Sequence, residues 1–150
     1  MEVYECVRSR LTVRNFKPDP VPDSVVRRIL RSAQWAPTSR NQQPGQFIVI
    51  RDRETLESIG RTAASGSFVG RAPFAIAIVM VNADSPELDA GRALQQMELV
   101  AWSEGLGTCF VSLEGGETNK VKELLGIPAE AELITVVPFG YRAEEPERKG

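Results

Sequence analysis

Pro73-Phe74-Ala75-Ile76-Ala77-Ile78-Val79-Met80-Val81 contains the longest apolar run of the chain. The run is of strand length, well short of the ~20 apolar residues that a membrane-spanning helix needs. Nearly every position is apolar, not every second one, which is the pattern of a strand covered on both faces. Such a strand requires layers above and below it, and its neighbours read as helices. Upstream, Arg53 to Ala64 places Leu56 and Ile59 on one helical face, and Ser65-Gly66-Ser67 ends the segment. Downstream, Asn82-Ala83-Asp84-Ser85-Pro86 is a turn, and about Glu87 to Glu104 is a long helix. Ala93, Leu94, Met97, Val100 and Ala101 form its apolar stripe, and Gly105 sits where a left-handed C-terminal glycine belongs.

The outer segments follow the same logic. Residues 2 to 9 read as a short helix with Val3, Cys6 and Val7 on one side. Pro18, Pro20 and Pro22 make a stiff turn, with Asp23 as the expected N-cap of a helix from Asp23 to Trp35. Val25, Val26, Ile29, Leu30 and Ala33 share one face of that helix, and Arg27, Arg28 and Arg31 the other. Strands are expected at Phe47 to Ile50, Thr108 to Leu113 and Leu133 to Gly140, a turn at Gly115-Gly116, and a helix at Thr118 to Gly126. The charged tail from Arg142 to Gly150 reads as irregular. Interleaved strands and helices in 150 residues predict one domain, 1–150, with a central sheet packed by helices.

Composition excludes several function classes. Net charge is −2, from 18 basic and 20 acidic residues, which argues against a nucleic-acid binder relying on bulk positive charge. Hydrophobic content of 42% and charged content of 25% are those of a soluble globular chain. The polar, acidic start Met1-Glu2-Val3-Tyr4-Glu5 shows no secretory signal, and Cys6 and Cys109 read as buried reduced thiols, so a cytoplasmic protein without membrane attachment is expected. There is no histidine. That removes Ser-His-Asp and Cys-His catalysis and His-ligated zinc, so an enzyme of this composition needs a carboxylate or a cofactor for its chemistry. Glu54, Glu57, Glu98 and Glu104 have spacings that suit solvated helix faces.

Two stretches concentrate directional polar groups. In Ala36-Pro37-Thr38-Ser39-Arg40-Asn41-Gln42-Gln43-Pro44, prolines restrict both ends of a loop rich in hydroxyls and side-chain amides. It suits a helix exit with polar turn residues, or a wall facing a flat heteroaromatic ligand. In Arg10-Leu11-Thr12-Val13-Arg14, extended geometry puts two guanidiniums and a hydroxyl on one face. That suits a solvated edge strand, or a phosphate cradle of arginine forks. Gly105-Leu106-Gly107 follows a helix and precedes a strand, the wrong order for a dinucleotide fingerprint.

With those motifs placed, the chain resembles the FMN-dependent nitroreductase family. Four segments carry the resemblance, in family order over nearly the whole chain: Arg10 to Phe16, similar to "RRSxRxF"; Ala36 to Pro44, similar to "APSxxNxQPW"; Ala72-Pro73 and its strand, then the helix ending in Gly105-Leu106-Gly107-Thr108-Cys109-Phe110, similar to "GLGTCW"; and Val121 to Pro128, later joined by Gly140-Tyr141. The resemblance implies an α+β, three-layer fold with a central mixed, mostly antiparallel sheet, and a homodimer with FMN at the subunit interface. It implies an NAD(P)H oxidoreductase working by ping-pong hydride transfer through flavin N5 to a small acceptor such as a nitroaromatic, quinone or enal. An FMN oxidase or dehydrogenase with a dedicated substrate, and a non-catalytic relative, are the alternatives.

By position, the resemblance assigns Arg10, Thr12 and Arg14 to the FMN phosphate, with Thr12 standing where serine is usual. It assigns Thr38, Ser39, Asn41 and Gln43 to the flavin, often that of the partner subunit. Ser112 and Leu113 fall near flavin N5 and O4, and Arg148 and Lys149 where a second phosphate contact is common. The sequence also departs from the pattern. Leu11 replaces an arginine, Gly45 replaces an aromatic, Glu114-Gly115-Gly116 lengthens a loop, and the segment before Pro73 is short. That short segment leaves Arg71 and Ser67 as alternatives for the pyrimidine side of the flavin.

Overall fold

The computed structural model describes residues 1–148. Among these residues four strands, β1 (Gly45–Ile50), β2 (Phe74–Met80), β3 (Leu106–Thr108) and β4 (Glu132–Tyr141), form one sheet in the order β1-β2-β4-β3. Every pairing is antiparallel. Among the described residues five α-helices complete the α+β fold: α1 (Val3–Ser9), α2 (Asp23–Gln34), α3 (Arg53–Thr62), α4 (Pro86–Ser103) and α5 (Glu117–Leu125).

The apolar run at Phe74 explains the layering. All seven residues of β2 are buried. Phe74, Ile76, Ile78 and Met80 face a layer built by Val26, Ile29 and Ala33 of α2 and Ala93, Met97 and Ala101 of α4. The intervening Ala75, Ala77 and Val79 face Leu56 and Ile59 of α3, Phe68 and Val69, and Val121 of α5. Period-two alternation thus divides one strand between two cores. Bulky residues point to the α2/α4 side and mostly alanines to the other. Phe74 lies opposite Phe139 of β4, and their rings stack at 5.1 Å with an interplanar angle of 4°. Each of the buried isoleucines contributes roughly 1.5–3 kcal/mol by leaving water.

Three local expectations are corrected. Asp23 does not cap α2: Pro22 occupies the N-cap, and Asp23 instead pairs with Arg51 at 2.7 Å. The strand expected at Thr108 to Leu113 lies earlier, at Leu106–Thr108, and only Val111 returns as an isolated bridge to Val136. The reason is a side chain: Thr135 Oγ1 donates to the Val111 carbonyl at 2.7 Å and accepts from its N–H at 3.2 Å, so the backbone need not pair continuously. On α1, only Cys6 is buried; Val3 and Val7 are 74% and 52% exposed. After α3 and the turn that ends it, Ser67–Arg71 forms a short 3-10 helix. Gly105 takes φ +86, as its place after α4 predicted.

Residues 10 to 15 run extended alongside β3 without joining the sheet as a strand. One hydrogen bond, from the Val13 N–H to the Thr108 carbonyl at 3.0 Å, fixes their register. Gly107 makes the approach possible: a Cβ there would lie 2.5 Å from Val13 Cβ. Val13 is consequently buried, and Thr12 and Arg14 turn outward. Among the described residues no helix is long and apolar enough to cross a membrane.

Candidate functional site

Arg10, Thr12, Arg14 and Ser112, from segments far apart in the sequence, line one cavity of about 280 Å³. The extended segment supplies the first three because alternate residues share a face. Ser112 arrives on the chain leaving β3. Ser65, from the turn after α3, and Phe68, from the 3-10 helix that follows it, form a second wall, and Cys109, Phe110 and Glu98 complete the lining. The Ser65 hydroxyl donates to the Ser112 carbonyl at 3.4 Å, joining the two walls.

The electrostatics of this cavity are unbalanced toward positive charge at its surface. The Arg10 guanidinium meets the Glu98 carboxylate at 3.5 Å. That of Arg14 lies over the Phe68 ring, 6.0 Å from its centroid. Neither donates a hydrogen bond to an oxygen or nitrogen of the described residues, so both forks keep donors for an anion. Burial pushes the Cys109 thiol up, with Arg14 pulling in the opposite direction. The thiol therefore stays protonated and unreactive at neutral pH.

The Ala36–Pro44 loop lines a different cavity, of about 270 Å³, that shares no residue with the first. Thr38 and Gln43 reach it, with Gly45 and Phe47 behind them. Ser39 is anchored from beneath: its backbone N–H donates to Asp89 Oδ1 at 3.0 Å. The Asp89 carboxylate is buried, and its Oδ2 has no partner among the described residues. Thr38 Oγ1 accepts the Gln43 N–H at 3.0 Å, and Asn41 accepts from Gln43 Nε2 at 3.0 Å. Arg40, Asn41 and Gln43 all adopt positive φ near +50°, so the loop holds a strained, defined shape. Asp89 and Glu98 lie on the same helix nine positions apart, about 13 Å along its axis. In one chain, then, α4 separates the arginine cradle from the amide loop.

The remaining expected residues are distributed as follows. Leu113 is half-buried against the apolar layer that holds α3 and α5. Arg148 donates to the carbonyl of Arg8, two positions from Arg10. Lys149 lies outside the described residues. Ser67 and Arg71 are exposed and do not line the arginine cavity; Ser65 and Phe68 of the same stretch do.

Sequence reading missed Asp89 and misplaced Glu98. Glu98 is 6% exposed, not solvated, and accepts a hydrogen bond from the buried Thr108 hydroxyl. Both acids could have been found by helical spacing. Glu98 lies four after Leu94 and three before Ala101, and Asp89 four before Ala93, so both fall on the apolar stripe. Glu104 is also engaged, with Arg28. Among the described residues no group of three metal-ligating side chains forms.

A three-layer α+β chain with an arginine-edged cavity and a polar loop held by a buried acid defines a recognisable class. The nitroreductase family profile matches residues 7–82 and 62–141, and the chain belongs to that family. A protein of Methanothermobacter thermautotrophicus, named as a candidate NADH dehydrogenase/NAD(P)H nitroreductase, is 32% identical over 97% of this chain and 80% of its own length. The FMN reductase [NAD(P)H] of Bacillus subtilis is 24% identical, over 99% of this chain and 69% of its own. Among solved structures, the FMN-dependent nitroreductase of Clostridium difficile superposes with a TM-score of 0.92 at 25% identity, covering 98% of this chain and 91% of that one.

Proposed function

We propose that the chain is an FMN-dependent NAD(P)H oxidoreductase acting on a small electron acceptor. The observation that carries this reading is the free donor set of Arg10 and Arg14 beside the Thr12 hydroxyl in one cavity. That donor set fits a phosphate monoester: two planar forks and a hydroxyl match its oxygens with charge-assisted hydrogen bonds. Ser112 and the Phe68 and Phe110 rings supply the polar and apolar walls that a ribityl chain and a flat ring need. Arg148, hydrogen-bonded to the Arg8 carbonyl, adds positive charge at the phosphate end. Bound flavin would supply the hydride chemistry that a histidine-free chain lacks. The chain's own residues bind the phosphate, orient the ring and shield it from water. Reductant and acceptor would use the same open face in turn, with nitroaromatics, quinones and enals as acceptors.

The functional unit in this reading is a homodimer, with Thr38, Ser39, Asn41 and Gln43 of one protomer reaching the flavin held by Arg10, Thr12 and Arg14 of the other. Two features support it. The loop and the cradle lie in separate cavities of one chain. A mostly apolar groove lined by Met1, Val3, Cys6, Leu99 and Val100 runs between α1 and α4, with Tyr4, Val7 and Trp35 also exposed. An exposed apolar groove of this kind is a surface that a second copy of the chain can cover.

The test is direct. Purified protein should be yellow, hold one FMN per chain, and bleach anaerobically with NADH or NADPH. Colourless, folded protein that takes up no added FMN overturns the proposal. Flavin that stays oxidised under both nicotinamides moves the reaction to a dedicated reductant.

A further inference from the structure

We infer that Glu98 is a positioning residue, which holds the Arg10 guanidinium at the mouth of the cavity by charge while leaving its N–H groups free for a phosphate; this rests on the flavin reading above. Its placement and two contacts make the case. Glu98 is buried and lines the cavity that Arg10 edges. Its Oε2 stands 3.5 Å from Arg10 Nη1, an ion pair without a directed hydrogen bond. The same oxygen accepts the hydroxyl of Thr108, which is itself buried.

Thr108 ties this arrangement to the cradle twice. Its hydroxyl fixes the Glu98 carboxylate, and its carbonyl accepts the Val13 N–H at 3.0 Å, setting the register of residues 10 to 14. Arg10 and its counter-charge are therefore referenced to the same residue of β3. A carboxylate in an anion pocket otherwise has no rationale: it repels a phosphate and is costly to bury. Held 3.5 Å away by Thr108, it offsets the cost of keeping Arg10 three-quarters buried. The fork then faces the cavity already oriented, and less rotamer freedom is lost on binding. Arg14 is held differently, by the face of Phe68, so the two cations are oriented independently.

The experiment compares FMN with riboflavin, which lacks the phosphate, by fluorescence titration of the apoprotein. Glu98→Gln keeps the shape and an acceptor for Thr108 but removes the charge. It should weaken FMN binding about tenfold, the worth of one charge contact, and leave riboflavin affinity unchanged. In an Arg10→Ala background the same change should have no further effect, because Glu98 acts through Arg10. If Glu98→Gln does not fold, Thr108→Val and Thr108→Ser serve instead: valine should weaken FMN selectively, and serine should restore it. Tighter or unchanged FMN binding in Glu98→Gln overturns the inference, as does equal weakening of riboflavin, or an undiminished effect without Arg10. Wild-type protein that binds neither flavin overturns the underlying reading as well, which separates the two failures.

Discussion

At the scale of the residue, the cavity depends on guanidinium donors that make no hydrogen bond to an oxygen or nitrogen of the described residues. Arg14 has its ring neighbour Phe68 on one side and the cavity on the other. Arg14→Ala should therefore weaken FMN binding by about 1.5–3 kcal/mol, the value of a hydrogen bond to a charged group. Riboflavin should bind the variant as it binds wild type; equal losses for both ligands would place Arg14 against the ring instead. The alternation of Arg10, Thr12 and Arg14 was readable from five letters, because extended backbone has a fixed period of two. The burial of Asp89 and Glu98 was not recognised. An acid on a helix reads as solvated until its phase against the apolar stripe is counted, and both lie in phase with that stripe.

At the scale of the element, the site is assembled by close approaches that no propensity encodes. Gly107 lets residues 10 to 14 lie against β3. Gly107→Ala would drive a Cβ into Val13, 2.5 Å from its Cβ and 2.7 Å from either methyl. Overpacking of that kind costs about 1–3 kcal/mol. Urea unfolding should show the loss of stability, and FMN affinity should fall with it because the cradle shifts as a unit. A second device joins the walls of the cavity. Glu117, in the first turn of α5, accepts the N–H groups of Ala64 and Glu114, each at 3.1 Å. Those two bonds hold its carboxyl below the usual glutamate range. A depressed carboxyl contributes stability above its unfolded pKa of about 4.3 and loses it as pH falls through the lower folded value. Wild type should thus become less stable below about pH 4, and Glu117→Gln should show a shallower fall over that range in thermal melts. Parallel pH profiles for the two proteins would remove this role.

The elements themselves were largely visible in the sequence. Helices α2, α3, α4 and α5 lie within a few residues of their periodic patterns, since amphipathic spacing is a local property. The third strand was misplaced because Cys109, Phe110 and Val111 have strand-like composition, yet the Thr135 hydroxyl takes over part of their backbone pairing. Thr135 is far away in sequence, and nothing near Cys109 announces it.

At the scale of the whole molecule, the question is what covers α1 and the groove beside it. Val3 is 74% exposed and touches no core. Val3→Glu should leave the protomer's circular dichroism and thermal cooperativity intact while shifting sedimentation from dimer toward monomer. In the proposed homodimer FMN affinity should fall in parallel, since the loop of Thr38 to Gln43 would no longer reach its neighbour's cavity. A variant that remains dimeric would move the interface to another face, and a wild-type monomer that binds FMN at full affinity would make the loop irrelevant to the flavin.

The sequence alone determined which segments are helices, which strand is buried on both faces, and which short stretches carry directional polar chemistry. These follow from periods of 3.6 and 2 and from the absence of histidine, all properties readable along the chain. Only tertiary structure decided that Arg10, Thr12 and Arg14 share a cavity with Ser112 and Glu98, and that the Ala36–Pro44 loop lies in another. Those neighbours come from segments about a hundred residues apart. Their meeting is set by how β3 pairs with β4 and by the room that Gly107 leaves for Val13, which depend on packing and not on local pattern.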